Sequence, residues 1–148
     1  MANKKPLALY AGAPRELQSG DQVAAGDVDQ TGAVAFVIDG AGAAIATGVK
    51  GDMEVPFACT IQGWTLMADQ SGSIVVDVWK DAYANFPPVV GDSITASAKP
   101  TISAASKAQS STLTGWTTSV SAGDILRFNV DSASTVQRVT LSLKVKKT

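Results

Sequence analysis

Val139-Thr140-Leu141-Ser142-Leu143-Lys144-Val145-Lys146, near the C-terminal end, alternates apolar and polar residues without a break. A period of two sets Val139, Leu141, Leu143 and Val145 on one face of a strand and Thr140, Ser142, Lys144 and Lys146 on the other, which predicts one buried and one wet face. Just before it, residues 125–130 put Leu126, Phe128 and Val130 together, with Arg127 and Asn129 opposite. Asp131-Ser132-Ala133-Ser134 supplies turn chemistry between the two runs, so they are expected to form a hairpin. A second hairpin is expected from residues 60–68 and 73–80. They flank Asp69-Gln70-Ser71-Gly72, whose Asp can bond the backbone and whose Gly can take positive φ.

The two regions share a pattern. Thr60-Ile61-Gln62-Gly63-Trp64-Thr65 aligns with Thr112-Leu113-Thr114-Gly115-Trp116-Thr117 at an offset of 52, and at that offset Ile74, Val76 and Val78 fall on Leu126, Phe128 and Val130. Two related antiparallel units suit a jelly roll or Greek-key sandwich, although one short motif occurring twice also arises by chance. From Ala33 onward, short β-rich runs punctuated by Gly, Asp and Ser recur, and helical patterning is nearly absent. The fold expected is therefore all-β, an antiparallel jelly-roll-like β-sandwich over residues 33–148. Between residues 81 and 107, Pro87-Pro88, Gly91-Asp92 and Pro100 predict long, contact-bearing loops with one short strand near Ile94.

Residues 1–32 hold Pro6, Pro14 and four Gly without sustained periodicity, which predicts an extended N-terminal arm. About 20 extended residues at roughly 3.3 Å each would reach some 60–70 Å, far enough to cross a neighbouring subunit. Lys4 and Lys5 before a short apolar run imitate a signal peptide, but Pro14 stops that run early. No apolar run approaches the roughly 20 residues that span a bilayer, so a protein without membrane attachment is expected.

Composition narrows the chemistry. In 148 residues there are 12 basic and 13 acidic side chains and no His. The missing His removes the commonest general base and every Ser-His-Asp constellation, so no enzyme is expected. The charge balance argues against generic nucleic-acid binding, and Lys4, Lys5, Lys144, Lys146 and Lys147 are expected to be solvated ends. Cys59 has no partner for a disulfide and is expected in the core. The 45% hydrophobic fraction includes 23 Ala, which leaves a limited set of large residues for one core.

Asp27-Val28-Asp29-Gln30-Thr31-Gly32 imitates the start of a calcium loop, but Ile38 stands where a bidentate Glu is needed, so neither metal nor cofactor is expected. Asp52 and Glu54 share a strand face, yet nothing else nominates them as a catalytic dyad. Trp64, Trp79, Trp116, Tyr83 and Phe86 are candidates for core or interface packing, or for a sugar-stacking platform. Trp79 falls with Val75 and Asp77, opposite Ile74, Val76 and Val78, and is expected to be exposed or buried between subunits.

Residues 48–57 (Gly48-Val49-Lys50-Gly51-Asp52-Met53-Glu54-Val55-Pro56-Phe57) and 63–80, with Tyr83-Ala84-Asn85-Phe86-Pro87-Pro88, Leu113-Thr114-Gly115-Trp116-Thr117 and Leu126-Arg127-Phe128-Asn129-Val130, resemble a β-rich domain of tailed-bacteriophage virion proteins. Lys5-Pro6-Leu7-Ala8-Leu9-Tyr10 and Glu16-Leu17-Gln18-Ser19-Gly20-Asp21 are similar to the N-terminal segment of phage minor structural proteins. The resemblance implies a virion component, made in the host cytoplasm. Without a heptad array, a collagen-like repeat or a long β-repeat for a shaft, a capsid cement or decoration protein is expected on the outer surface of the head. It would bind the major capsid protein, with a homotrimer as the expected form. Arm contacts are expected at Leu7, Leu9, Tyr10, Arg15 and Leu17, and a subunit or ligand interface at Trp79, Tyr83, Phe86, Pro87 and Pro88. The alternative is a tail-fibre or receptor-binding module recognising host carbohydrate.

Overall fold

The computed structural model describes residues 30–148 and, upstream, the backbone of two short strands, β1 (Leu7–Tyr10) and β2 (Ala13–Glu16). These pair antiparallel, Leu7 opposite Glu16 and Tyr10 opposite Ala13, so the segment expected to run extended doubles back on itself. Pro14 is tolerated because each strand of a two-stranded sheet is an edge. The side chains of Leu7, Leu9, Tyr10 and Arg15, and all of Leu17, lie outside the described residues.

Seven further strands make one antiparallel sheet: β3 (Thr31–Asp39), β4 (Gly48–Val55), β5 (Cys59–Ala82), β6 (Thr101–Ser110), β7 (Ser119–Val120), β8 (Asp124–Ser134) and β9 (Arg138–Lys147). The 24-residue β5 organises it. Its first half pairs with β9, from Cys59 opposite Lys147 to Ala68 opposite Val139. Its second half pairs with β8, from Ser73 opposite Ser134 to Ala82 opposite Asp124. β8 and β9 thus follow one another along the same edge of β5 and do not pair with each other.

Both expected hairpins are corrected by this arrangement, and for one physical reason. The first turn-prone stretch spends its hydrogen bonds on residues 135–138, just beyond the second. Asp69 Oδ1 accepts the backbone N–H groups of Gln137 and Arg138, each at 3.1 Å, and Thr135 Oγ1 donates to the Ser71 carbonyl at 3.0 Å. The Gln70 amide reaches the Thr135 carbonyl. Thr135 takes the left-handed conformation, φ 67°, and Gly72 fits because a Cβ there would lie 2.3 Å from Thr135 Oγ1 and 2.5 Å from the Ser134 carbonyl oxygen. The result is a bend through which both strands continue.

The sheet curls at such bends. β3 pairs with β9, and β8 with β4 and β5, yet the Phe36 ring of β3 stacks on Phe128 of β8 with centroids 4.3 Å apart and planes 8° from parallel. Gly51 of β4 passes beneath the Phe36 ring. The enclosed core contains Ile38, Ile61, Leu66, Ile74, Val76, Val78, Phe128, Val130 and the terminal-strand residues Val139, Leu141, Leu143 and Val145, all nearly inaccessible. The period-two reading of β9 is therefore correct residue by residue.

The internal repeat holds only in part. Val76 lies opposite Val130 and Val78 opposite Phe128, but Thr60–Thr65 belongs to β5 whereas Thr112–Thr117 forms the connection between β6 and β7. Trp64 and Trp116 are both buried all the same. The segment after β5 carries two short 3-10 turns, Tyr83–Asn85 and Val90–Asp92, and its strand is β6. Near Ile94 there is only a single bridge, between Ser93 and Trp79. Among the described residues no helix is long and apolar enough to cross a membrane.

Candidate docking surface

Strand parity sends Val76, Val78, Leu126, Phe128 and Val130 inward, so Asp77, Trp79, Arg127 and Asn129 face outward with Asp52 and Glu54 of β4. An Asp inside a run of valines must either be wet or be partnered. Asp77 is 1% exposed and partnered: the segment 93–100 lies along the outer edge of β5 as a strap and supplies the donors. Ser93 Oγ and Thr95 Oγ1 donate to Asp77 Oδ1 at 2.7 and 2.6 Å, and Lys99 Nζ sits 3.0 Å from Oδ2. Lys99 also reaches Asp131 at 2.6 Å. Burial pushes the Asp77 carboxyl up, but Thr95, Ser93, Lys99 and Trp79 together outweigh it and hold the group below its ordinary value.

The strap is fixed at further points. Ile94 N–H donates to the Val78 carbonyl, Val76 N–H to that of Pro100, and the Trp116 indole N–H to that of Ala98. Trp79 is covered as a result. At 9% exposure it is neither a surface platform nor free for a partner, which corrects its assignment to an interface. Its indole N–H is buried without a hydrogen bond of full geometry, although it lies near enough to Asp77 to favour the charged carboxylate.

Above this network stands the loop 83–92. Tyr83, Phe86, Val89 and Val90 are 74%, 51%, 56% and 69% exposed. Pro87 is exposed with them, whereas Pro88 is buried and drops out of the expected interface. Asp81 Oδ1 accepts from Ala82 N–H at 2.7 Å and from the Asn85 amide at 3.0 Å, and Asp92 Oδ2 accepts from Val89 N–H at 2.8 Å. Phe86 lies 5.6 Å from the Arg127 guanidinium, which forks onto Asp52 at 2.6 and 3.0 Å. Each exposed apolar group therefore stands on a hydrogen-bonded backbone or a packed cation, a geometry that lowers the entropy lost when a partner binds.

The other candidates resolve plainly. Asp52 is the Arg127 partner, and Glu54 sits two residues on along the same strand face. Cys59 is buried at the start of β5, and burial, with the Asp124 carboxylate, pushes its thiol above the ordinary value, which disfavours the thiolate. In the calcium-like stretch, residues 27–29 lie outside the described residues, and Gly32 and Ile38 belong to β3. Among the described residues no cluster of His, Cys, Asp and Glu could hold a metal. Sequence reading missed Ser93, Thr95, Lys99 and Asp131. Its available signal was Asp77, a charge set between Val76 and Val78.

Compared with known proteins, the chain matches no family model, no curated protein sequence and no solved structure.

Proposed function

We propose that this chain is a structural protein of a tailed-bacteriophage particle, a decoration protein that binds the major capsid protein on the outer surface of the head. In this reading the curled sheet is a jelly-roll-like β-sandwich and the protein acts as a homotrimer made in the host cytoplasm. The observation that carries the proposal is the preformed apolar loop of Tyr83, Phe86, Val89 and Val90, raised on the Asp77 and Arg127 networks. Exposed apolar groups held in place at such cost mark a contact surface. The sequence resemblance supplies the kind of particle.

Cementing needs no chemistry. A protein that binds only the assembled shell stabilises it by RT ln(1 + [L]/Kd) at each site, about 2.7 kcal/mol at a hundredfold excess over Kd. Immunogold electron microscopy with an antibody against residues 33–148 tests the assignment. Label spread over the heads is the expected result, and label confined to tails would overturn it.

A further inference from the structure

The outer face at the other end of β5, made by β9, the first half of β5 and β6, has a different character. Residues 30–38, 59–68, 101–110 and 138–148 contain no Asp or Glu. Lys144 and Lys107 stand exposed on this face, and neither makes an ion pair among the described residues. Between them runs a groove of about 450 Å³, lined by Gln62, Thr65, Gln109, Ser110, Thr112 and Lys144 among others. It continues into a second hollow of about 370 Å³ that shares Thr65 and Gln109 and ends at Lys107. Both volumes fall in the range of small-ligand sites.

The groove is built by the local backbone. The register of β5 against β9 slips between Ile61 and Gly63, a bulge that adds Gln62 and re-aims it at the groove rim. Gly63 keeps the floor low, since a Cβ there would lie 2.9 Å from the Ser110 carbonyl oxygen. Thr65 pairs with Ser142 on one side and Gln109 on the other, while Lys144 is opposite Gly63 and Lys107 opposite Met67. Four residues along the strand and two strand spacings across put the lysines roughly 16 Å apart at the backbone.

The structure assigns this groove, we propose, to an anionic oligosaccharide that lies along the face with carboxylates at Lys144 and Lys107 and hydroxyls on Gln62, Thr65 and Gln109. Among the described residues the amides of Gln62 and Gln109 have no partner, and each offers two donors and an acceptor, the set that a polyhydroxylated ligand matches. Most side chains that line the first hollow are polar, and Met67 and Ala108 add apolar surface in the second, a mixture that suits the hydroxyls and the ring faces of a sugar. This site stands on the groove alone and does not depend on the capsid reading.

Calorimetric titration of the full chain with tetragalacturonate should give saturable, salt-weakened binding, and neutral maltotetraose should bind about tenfold more weakly. The double variant Lys144→Gln/Lys107→Gln should lose about tenfold in affinity at unchanged melting temperature, and Gln109→Ala should weaken both sugars. No saturable binding of either tetragalacturonate or a hyaluronan tetrasaccharide overturns the proposal. Equal binding of inorganic polyphosphate also overturns it, by reducing the face to a bare charge patch. So does a double variant that changes the sedimentation coefficient in place of the affinity, because the face then belongs to a second copy of the chain.

Discussion

Asp77 is where the structure makes its most demanding energetic statement. Asp77→Ala leaves the Ser93 and Thr95 hydroxyls and one side of Lys99 facing a void, and Thr95 is wholly buried. Removing one partner of a buried ion pair costs about 3–5 kcal/mol. Lys99 keeps Asp131 and is 29% exposed at its side chain, so the lower end, about 3 kcal/mol, is expected. Asp77→Asn retains an acceptor oxygen for the two hydroxyls but loses the charge and the Lys99 ion pair, for about 2 kcal/mol. With a urea slope of about 2 kcal/mol/M, these losses move the unfolding midpoint by roughly 1.5 and 1 M.

Acid supplies the second measurement. The folded carboxyl is held below its unfolded value, so its contribution is present above about pH 4 and is lost as the pH falls through the lowered folded value. The stability gap between wild type and Asp77→Asn should therefore be constant near neutral pH and close on acidification. Asp69 is held low by the Arg138 backbone N–H and Asp81 by the Asn85 amide, but both remain in the variant and cancel in the difference. A cost below about 1 kcal/mol for Asp77→Ala, or a gap that does not move with pH, would refute the account of the strap.

Four other outcomes are expected. Gly72→Ala should destabilise by about 2 kcal/mol or more in urea unfolding, because its Cβ meets Thr135 and the Ser134 carbonyl at the bend. Phe128→Ala removes a fully buried ring stacked on Phe36 and should cost about 3–5 kcal/mol in the same assay. Tyr83→Ser with Val90→Ser should leave the melting temperature unchanged, since both are exposed, while abolishing co-sedimentation with phage heads. Deletion of residues 1–22 should leave the cooperative unfolding of residues 33–148 intact and weaken particle binding; full affinity would remove any role for that segment in attachment.

Strand identity was legible because period two is a local property. Val139, Leu141, Leu143 and Val145, like Leu126, Phe128 and Val130, are buried on the parity that the sequence dictates. Pairing was not legible, because a turn signal states only that a segment can break a ladder. Asp69-Gln70-Ser71-Gly72 and Asp131-Ser132-Ala133-Ser134 look like two hairpin turns when each is read alone. In the fold, the first meets Thr135 and the backbone of Gln137 and Arg138, and their mutual hydrogen bonds carry two strands around a bend.

The same distinction governs the surface. Tyr83, Phe86 and Pro87 are exposed, whereas Trp79 is buried because its cover comes from residues 93–95, joined to β5 by one bridge and a carboxylate 16 residues upstream of Ser93. A charge within a strand is thus a better locator of long-range structure than an aromatic. An aromatic is stable in any dry place, but Asp77 tolerates burial only where several donors converge. Its position foretells a covering segment rich in hydroxyls with a cation. Residues 93–99, Ser93-Ile94-Thr95-Ala96-Ser97-Ala98-Lys99, fit that description, and the groove at the other end of β5 is its complement: Lys107 and Lys144 without carboxylates among the described residues, a demand that the protein leaves for a ligand to meet.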